Sequence, residues 1–106
     1  MTVSPTARTL SSVLEQVESL PWDFALYLPK QPWGLETPAL ILDPDDCEDD
    51  QEEPAEARAR GFRYALGVQD VKGVVENARQ QRPAIDTPGL LQAMQYYYDH
   101  DAYAAL

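Results

Sequence analysis

"GFRYALGVQDVKGVVENARQQ" (residues 61–81) changes its period in the middle, and the change decides the fold class. Phe62, Tyr64 and Leu66 sit at alternate positions, the spacing of a strand with one face in a core. From Val68 onward the apolar positions Val68, Val71, Val75 and Ala78, with Val74 beside them, follow one face of a helix. Its outer face is polar: Gln69, Lys72, Glu76 and Gln80. Gly67, with Asp70 three residues on, can start that helix. A strand running directly into a helix puts both element types in one small chain, and the flanking segments supply the rest of the order.

Upstream, Pro54 fits a first helical residue and Gly61 fits the left-handed residue that ends a helix, so "EARAR" predicts one short helix. Before it, Ala39–Leu42 is a brief continuous apolar run, consistent with a buried strand. The stretch 22–28 alternates Trp22, Phe24, Leu26 and Leu28 against Asp23, Ala25 and Tyr27, which predicts a first strand, closed by Pro29 and antiparallel to the second. The connection "KQPWGLETP" (30–38) has two prolines and a glycine and is expected to carry Trp33 into an exposed loop. Leu10, Val13, Leu14 and Val17 predict an opening helix. Ser12 with Glu15 fits a capping box, and Thr9 is an equally good cap. Residues 1–8 read as a flexible terminus.

Downstream, Thr87 followed by Pro88 in "RPAIDTPG" (82–89) predicts a threonine-capped last helix. Leu90, Leu91, Met94, Tyr97 and Tyr98 are placed toward the core. The order helix, two strands, acidic connection, strand, two helices favours a single small α+β domain over residues 9–106. Its sheet is expected to be three-stranded and mainly antiparallel, packed with three to four helices.

Charge is distributed less evenly than structure. The chain of 106 residues carries a formal net charge of −10. Nine acidic residues and no basic one lie between Asp43 and Glu56, in a stretch beginning "DPDDCEDDQEE", which leaves nine acids against eight bases elsewhere. Mutual repulsion predicts an extended acidic loop over 43–56. Nucleic acid and anionic membrane are repelled by such a surface, and no apolar run is long enough to span a bilayer. No secretory leader is apparent in "MTVSPTARTL". The lone Cys47 can form neither an internal disulfide nor a cysteine-based zinc site, so a cytoplasmic protein is expected.

Motifs for chemistry are weak throughout. A calcium loop of the EF-hand kind needs a glycine at its sixth position, and none occurs from Leu42 to Arg60. Carboxylate acid–base catalysis needs at least one carboxyl group held in a pocket, which a solvated loop does not supply. His100 lies between Asp99 and Asp101, but neighbours on a helix point apart and no motif marks a nucleophile. A helix-end histidine near the terminal carbonyls is the plainer reading. No glycine-rich phosphate loop, H-E-x-x-H or C-x-x-C is present. The chain is therefore expected to be no enzyme and to use no cofactor or metal. Tyr96, Tyr97, Tyr98 and Tyr103 cannot all face inward from one helix, so Tyr96 is expected to be partly exposed. Exposed aromatics favour protein interfaces.

With "WDFALYLP" (22–29), "ETPALILD" (36–43), "GFRYALGVQDVKGVVENARQQ" and "YYYDHDAY" (96–103) in order, the chain resembles an uncharacterised family of small acidic bacterial proteins over residues 10–104. Some of its members look like immunity proteins of bacterial toxin systems. That resemblance implies stoichiometric binding to a cognate toxin, and the charge map supplies a means, an acidic segment against a basic surface. The partner-binding residues are then Asp45, Asp46, Glu48, Asp49, Asp50, Glu52 and Glu53, with Trp33 and Tyr96 as aromatic anchors on a monomer. The alternative is a secretion chaperone or adaptor for an effector protein, which would pair as a dimer around an apolar groove.

Overall fold

The computed structural model describes residues 8–45 and 54–106. Along the chain run β1 (Arg8–Thr9), α1 (Leu10–Gln16), β2 (Ala25–Leu28), β3 (Pro38–Leu42), α2 (Ala55–Ala59), β4 (Arg63–Gly67), α3 (Val68–Gln81) and α4 (Thr87–His100), with a 3₁₀ turn at Val17–Ser19. The strands form one sheet in the order β1-β3-β2-β4, each pair antiparallel. The α+β class and four helices agree with the sequence reading.

The sheet has four strands where three were expected. β1 is only two residues long, pairing Arg8 with Ala39 and Thr9 with Pro38. A two-residue strand has no period to read, and it takes Arg8 out of the flexible terminus expected over residues 1–8. The rest of that terminus, residues 1–7, lies outside the described residues. Thr9 then caps α1, its hydroxyl accepting from the Ser12 N–H at 3.1 Å.

Helices α1, α3 and α4 cover one face of the sheet. Leu10, Val13 and Leu14 of α1, the valines of α3, and Leu90 and Met94 of α4 bury against Leu26, Leu28, Ala39 and Leu66. The opposite face has its own smaller cluster, in which Ala25, Tyr27 and Leu40 meet Ala57 of α2 and Phe62. β2 is therefore buried on both sides, and its alternation does not separate a core face from a solvent face.

Two local features displace residues from their predicted faces. β2 begins at Ala25, and the segment before it is a turn in which the Phe24 N–H donates to the Pro21 carbonyl at 3.2 Å. Trp22 sits in that turn, 63% exposed, where the alternating pattern had put it in the core. In β4 the register against β2 shifts between Leu26↔Leu66 and Tyr27↔Tyr64, leaving Ala65 as the extra residue of a bulge. The bulge reverses the alternation. Phe62 and Leu66 consequently belong to clusters on opposite faces of the sheet, and Tyr64 joins the side of Tyr27, its ring edge-on at 5.8 Å.

Two ends are set by local chemistry. α2 closes in a Schellman arrangement: Gly61 takes a φ of 73°, its N–H donates to the Arg58 carbonyl, and the Phe62 N–H donates to the Ala57 carbonyl at 2.9 Å. At α4 the cap is Asp86, one residue before the predicted Thr87; its carboxylate accepts from the Gly89 N–H at 2.9 Å. Thr87 instead donates its hydroxyl to Glu15 on α1 at 3.0 Å. No described helix is long and apolar enough to cross a membrane.

Candidate functional site

Of the residues expected to bind a partner, three are described: Asp45, Trp33 and Tyr96. Asp45 is exposed, its N–H held by the Asp43 carboxylate at 2.9 Å, while Asp46, Glu48, Asp49, Asp50, Glu52 and Glu53 lie outside the described residues. Trp33 is buried at 8% exposure, which corrects its expected place in an exposed loop. Its indole N–H donates to the Pro29 carbonyl at 2.8 Å, its carbonyl accepts from Gln95 Nε2 at 2.9 Å, and its ring meets Tyr98 edge-on at 4.8 Å. The loop folds back onto α4, and Trp33 plugs the space between them. Tyr98 is correspondingly 41% exposed, packing on Trp33 where the sequence had turned it to the core. Tyr96 is 42% exposed, as expected. It stands about 200° around the helix from Tyr98. His100 lies against the Tyr96 ring, centroids 4.2 Å apart.

Among the described residues a group of side chains converges around the start of α3. Gly67 joins β4 to α3, and the Val68 N–H donates to the Phe24 carbonyl at 2.9 Å, so the β2–β4 pairing continues to the helix start. This brings the Pro21–Phe24 turn beside the first turn of α3. Between them is a shallow cleft of about 290 Å³ whose walls include Trp22, Asp23, Phe24, Tyr64, Gly67 and Asp70. Pro44, at the beginning of the acidic connection, completes its rim. Among the described residues two carboxylates and three aromatic rings line this space, and no basic side chain does.

Asp70 organises the back of the cleft. It lies in the first turn of α3, where a negative side chain is favoured by the unsatisfied N–H groups of the helix start. The Tyr97 hydroxyl donates to its Oδ1 at 3.3 Å. The other carboxylate oxygen lies over Gly67: a β-carbon there would come within 3.4 Å of both Asp70 Oδ2 and the Tyr64 hydroxyl. Any larger residue at 67 would have to share that space.

The two tyrosines record the negative field. The Asp70 charge is the main cause of a raised Tyr97 pKa, with burial, Asp101, the hydrogen bond to Asp70 and Tyr103 adding to it. Tyr64 is raised first by burial and then by Asp70, against a smaller opposing effect of a Gly67 backbone hydrogen bond. Both phenols are held in their neutral form. Tyr97 is further fixed by Tyr103, whose ring stacks on it at 5.4 Å.

A second cleft, about 220 Å³, lies at the other end of β4 and has the opposite character. Lys30 and Arg63 line it together with Trp33, Tyr64 and Tyr98. Tyr64 stands between the two clefts, contributing to both. Among the described residues no cluster of histidine, cysteine and carboxylate side chains is arranged to hold a metal ion.

Sequence reasoning missed Trp22, Tyr64 and Asp70. For Trp22 a usable signal existed, since Pro21 and Asp23 on either side are turn residues that compete with the strand pattern. For Asp70 and Tyr64 there was none, because their meeting depends on the bulge at Ala65.

No curated protein and no solved structure matches the chain. A family model does, over residues 7–106, and the family is described as a domain of unknown function, DUF7716. Spanning nearly the whole chain, that match places this protein in the DUF7716 family.

Proposed function

We propose that this domain is a stoichiometric binding protein for a basic protein partner, and that the partner is a bacterial toxin which it neutralises as an immunity protein does. The observation that carries the reading is the coincidence of charge and exposed aromatic surface. Nine carboxylates are confined to 43–56, and that segment starts at the rim of a cleft already lined by Asp23, Asp70, Trp22 and Tyr64. Elsewhere the chain is nearly neutral.

A concentrated field of this kind steers an oppositely charged protein into encounter, raising association rates toward about 10⁸ per molar per second at low salt. Exposed tryptophan and tyrosine then add contact area that slows dissociation. Both properties suit a cytoplasmic monomer that must capture a harmful enzyme quickly and keep it. Binding by itself neutralises, so the proposal requires no cofactor, no metal and no catalytic residue, and it assigns no contact to nucleic acid or membrane.

The test is kinetic. A partner is captured by pull-down from lysate at low and at high salt, and its association with the chain is measured by stopped flow at low and at physiological salt. Changing Asp45, Asp46, Asp49 and Asp50 to asparagine and serine slows association about tenfold at low salt, flattens its salt dependence and leaves the fold intact. An association rate that ignores these substitutions overturns the reading. A dimer in sedimentation, with an extended client in an apolar groove, would favour the chaperone alternative instead.

A further inference from the structure

We infer that the cleft between Trp22 and Asp70 receives an arginine side chain of the protein partner, an inference that rests on the binding role proposed above. The cleft combines the two features that recognise a guanidinium. Aromatic faces attract a flat cation through their ring quadrupoles, and carboxylates accept its fork of N–H donors. Trp22, Phe24 and Tyr64 supply the rings, Asp23 and Asp70 the carboxylates.

Several observations narrow the occupant. At about 290 Å³ the cleft lies at the lower end of the size of small-molecule sites and has room for one side chain. Among the described residues no basic side chain lines it, so none there neutralises its two carboxylates. Asp70 is not waiting to be ordered: the Tyr97 hydroxyl already donates to it at 3.3 Å, and its place in the first turn of α3 favours its charge. Its Oδ2 is then positioned over Gly67 on the cleft side. An acceptor fixed before binding loses little entropy when the ligand arrives. Trp22, 63% exposed in its turn, is a large apolar surface that a stacked guanidinium would cover.

Arginine fits better than lysine because its planar group stacks on a ring and bonds a carboxylate through two nitrogens at once. The cleft beside Trp33 shows the contrast. Lined by Lys30 and Arg63, it would repel the same side chain, so only one end of β4 accepts the cation.

The probe is a glycine pentapeptide with a central arginine and blocked ends, and its twin carries citrulline, which has the same shape without the charge. Both are titrated into the full chain and followed by NMR at the Trp22 indole N–H and the Gly67 and Asp70 amides. The arginine peptide produces saturable shifts at these three positions, and citrulline weakens binding about tenfold or more. Asp23→Asn and Trp22→Ala, both exposed and outside the core, each reduce the effect while leaving the remaining spectrum unchanged. Absence of shifts at these positions, or equal shifts with citrulline, overturns the inference.

Kinetics with the intact partner separate this inference from the reading beneath it. Trp22→Ala raises the dissociation rate about tenfold and leaves association unchanged, whereas neutralising the acidic connection does the reverse. Slowed association in the connection variant with no arginine binding sinks the pocket alone. Arginine binding with association indifferent to the connection sinks the steering role and keeps the pocket.

Discussion

The Tyr97 hydroxyl on α4 donates to Asp70 Oδ1 on α3 at 3.3 Å, so a single carboxylate links the last two helices while lining the cleft beside Trp22. A residue in that position serves packing and surface chemistry together, and the two contributions can be separated by pH. Tyr97 and Tyr64 ionise above the ordinary phenol value of 10.0. Their neutral forms are favoured by the fold, so the stability they contribute is complete below the unfolded-state value and is lost as pH rises through the folded-state value. In an ultraviolet titration Tyr64 and Tyr97 therefore ionise late. Asp70→Asn removes the main cause of the shift at Tyr97 and a secondary one at Tyr64, so Tyr97 moves further toward 10.0. Its alkaline unfolding curve falls less steeply.

The two tryptophans have opposite roles. Trp33→Ala empties a buried site with a bonded indole and lowers unfolding free energy by about 3 kcal/mol in urea. Trp22→Ala changes it by less than about 0.5 kcal/mol, because the ring is largely in solvent. Equal losses at the two positions would contradict the placement of Trp22 in an exposed turn.

The start of α4 depends on Asp86. Asp86→Ala removes the carboxylate that caps the Gly89 N–H and costs about 1 kcal/mol. Thr87→Ala loses one exposed hydrogen bond to Glu15 and costs less than half as much. Chemical denaturation of the pair ranks them, and a larger loss at Thr87 would restore it as the cap.

Gly61 is required by conformation, not by space. No atom lies near the position of an added β-carbon, yet φ is 73°. Gly61→Ala accordingly costs about 1 kcal/mol through backbone strain, and Gly61→Asn, which tolerates the left-handed region, recovers part of it. Thermal melts of the two variants measure the difference.

Much of the architecture was legible because it is written in short-range periodicity. The helical face of Val68, Val71, Val75 and Ala78, the turn at Gly61 and the antiparallel pairing of β2 with β3 each follow from spacing or backbone preference within a few residues. The concentration of carboxylates over 43–56 is likewise a property of the chain alone. What spacing could not supply was the environment of each aromatic ring. Trp33 is buried because α4 brings Tyr98 and Gln95 over it, from more than sixty positions away. Trp22 is exposed because β2 starts three residues later than its pattern suggests. The cleft exists because a bulge at Ala65 turns Tyr64 away from the face of Leu66, toward the carboxylate of Asp70. Periodicity specifies which side of its own helix or strand a residue occupies; whether that side meets protein or water is decided by segments distant in sequence, through packing that no local pattern contains.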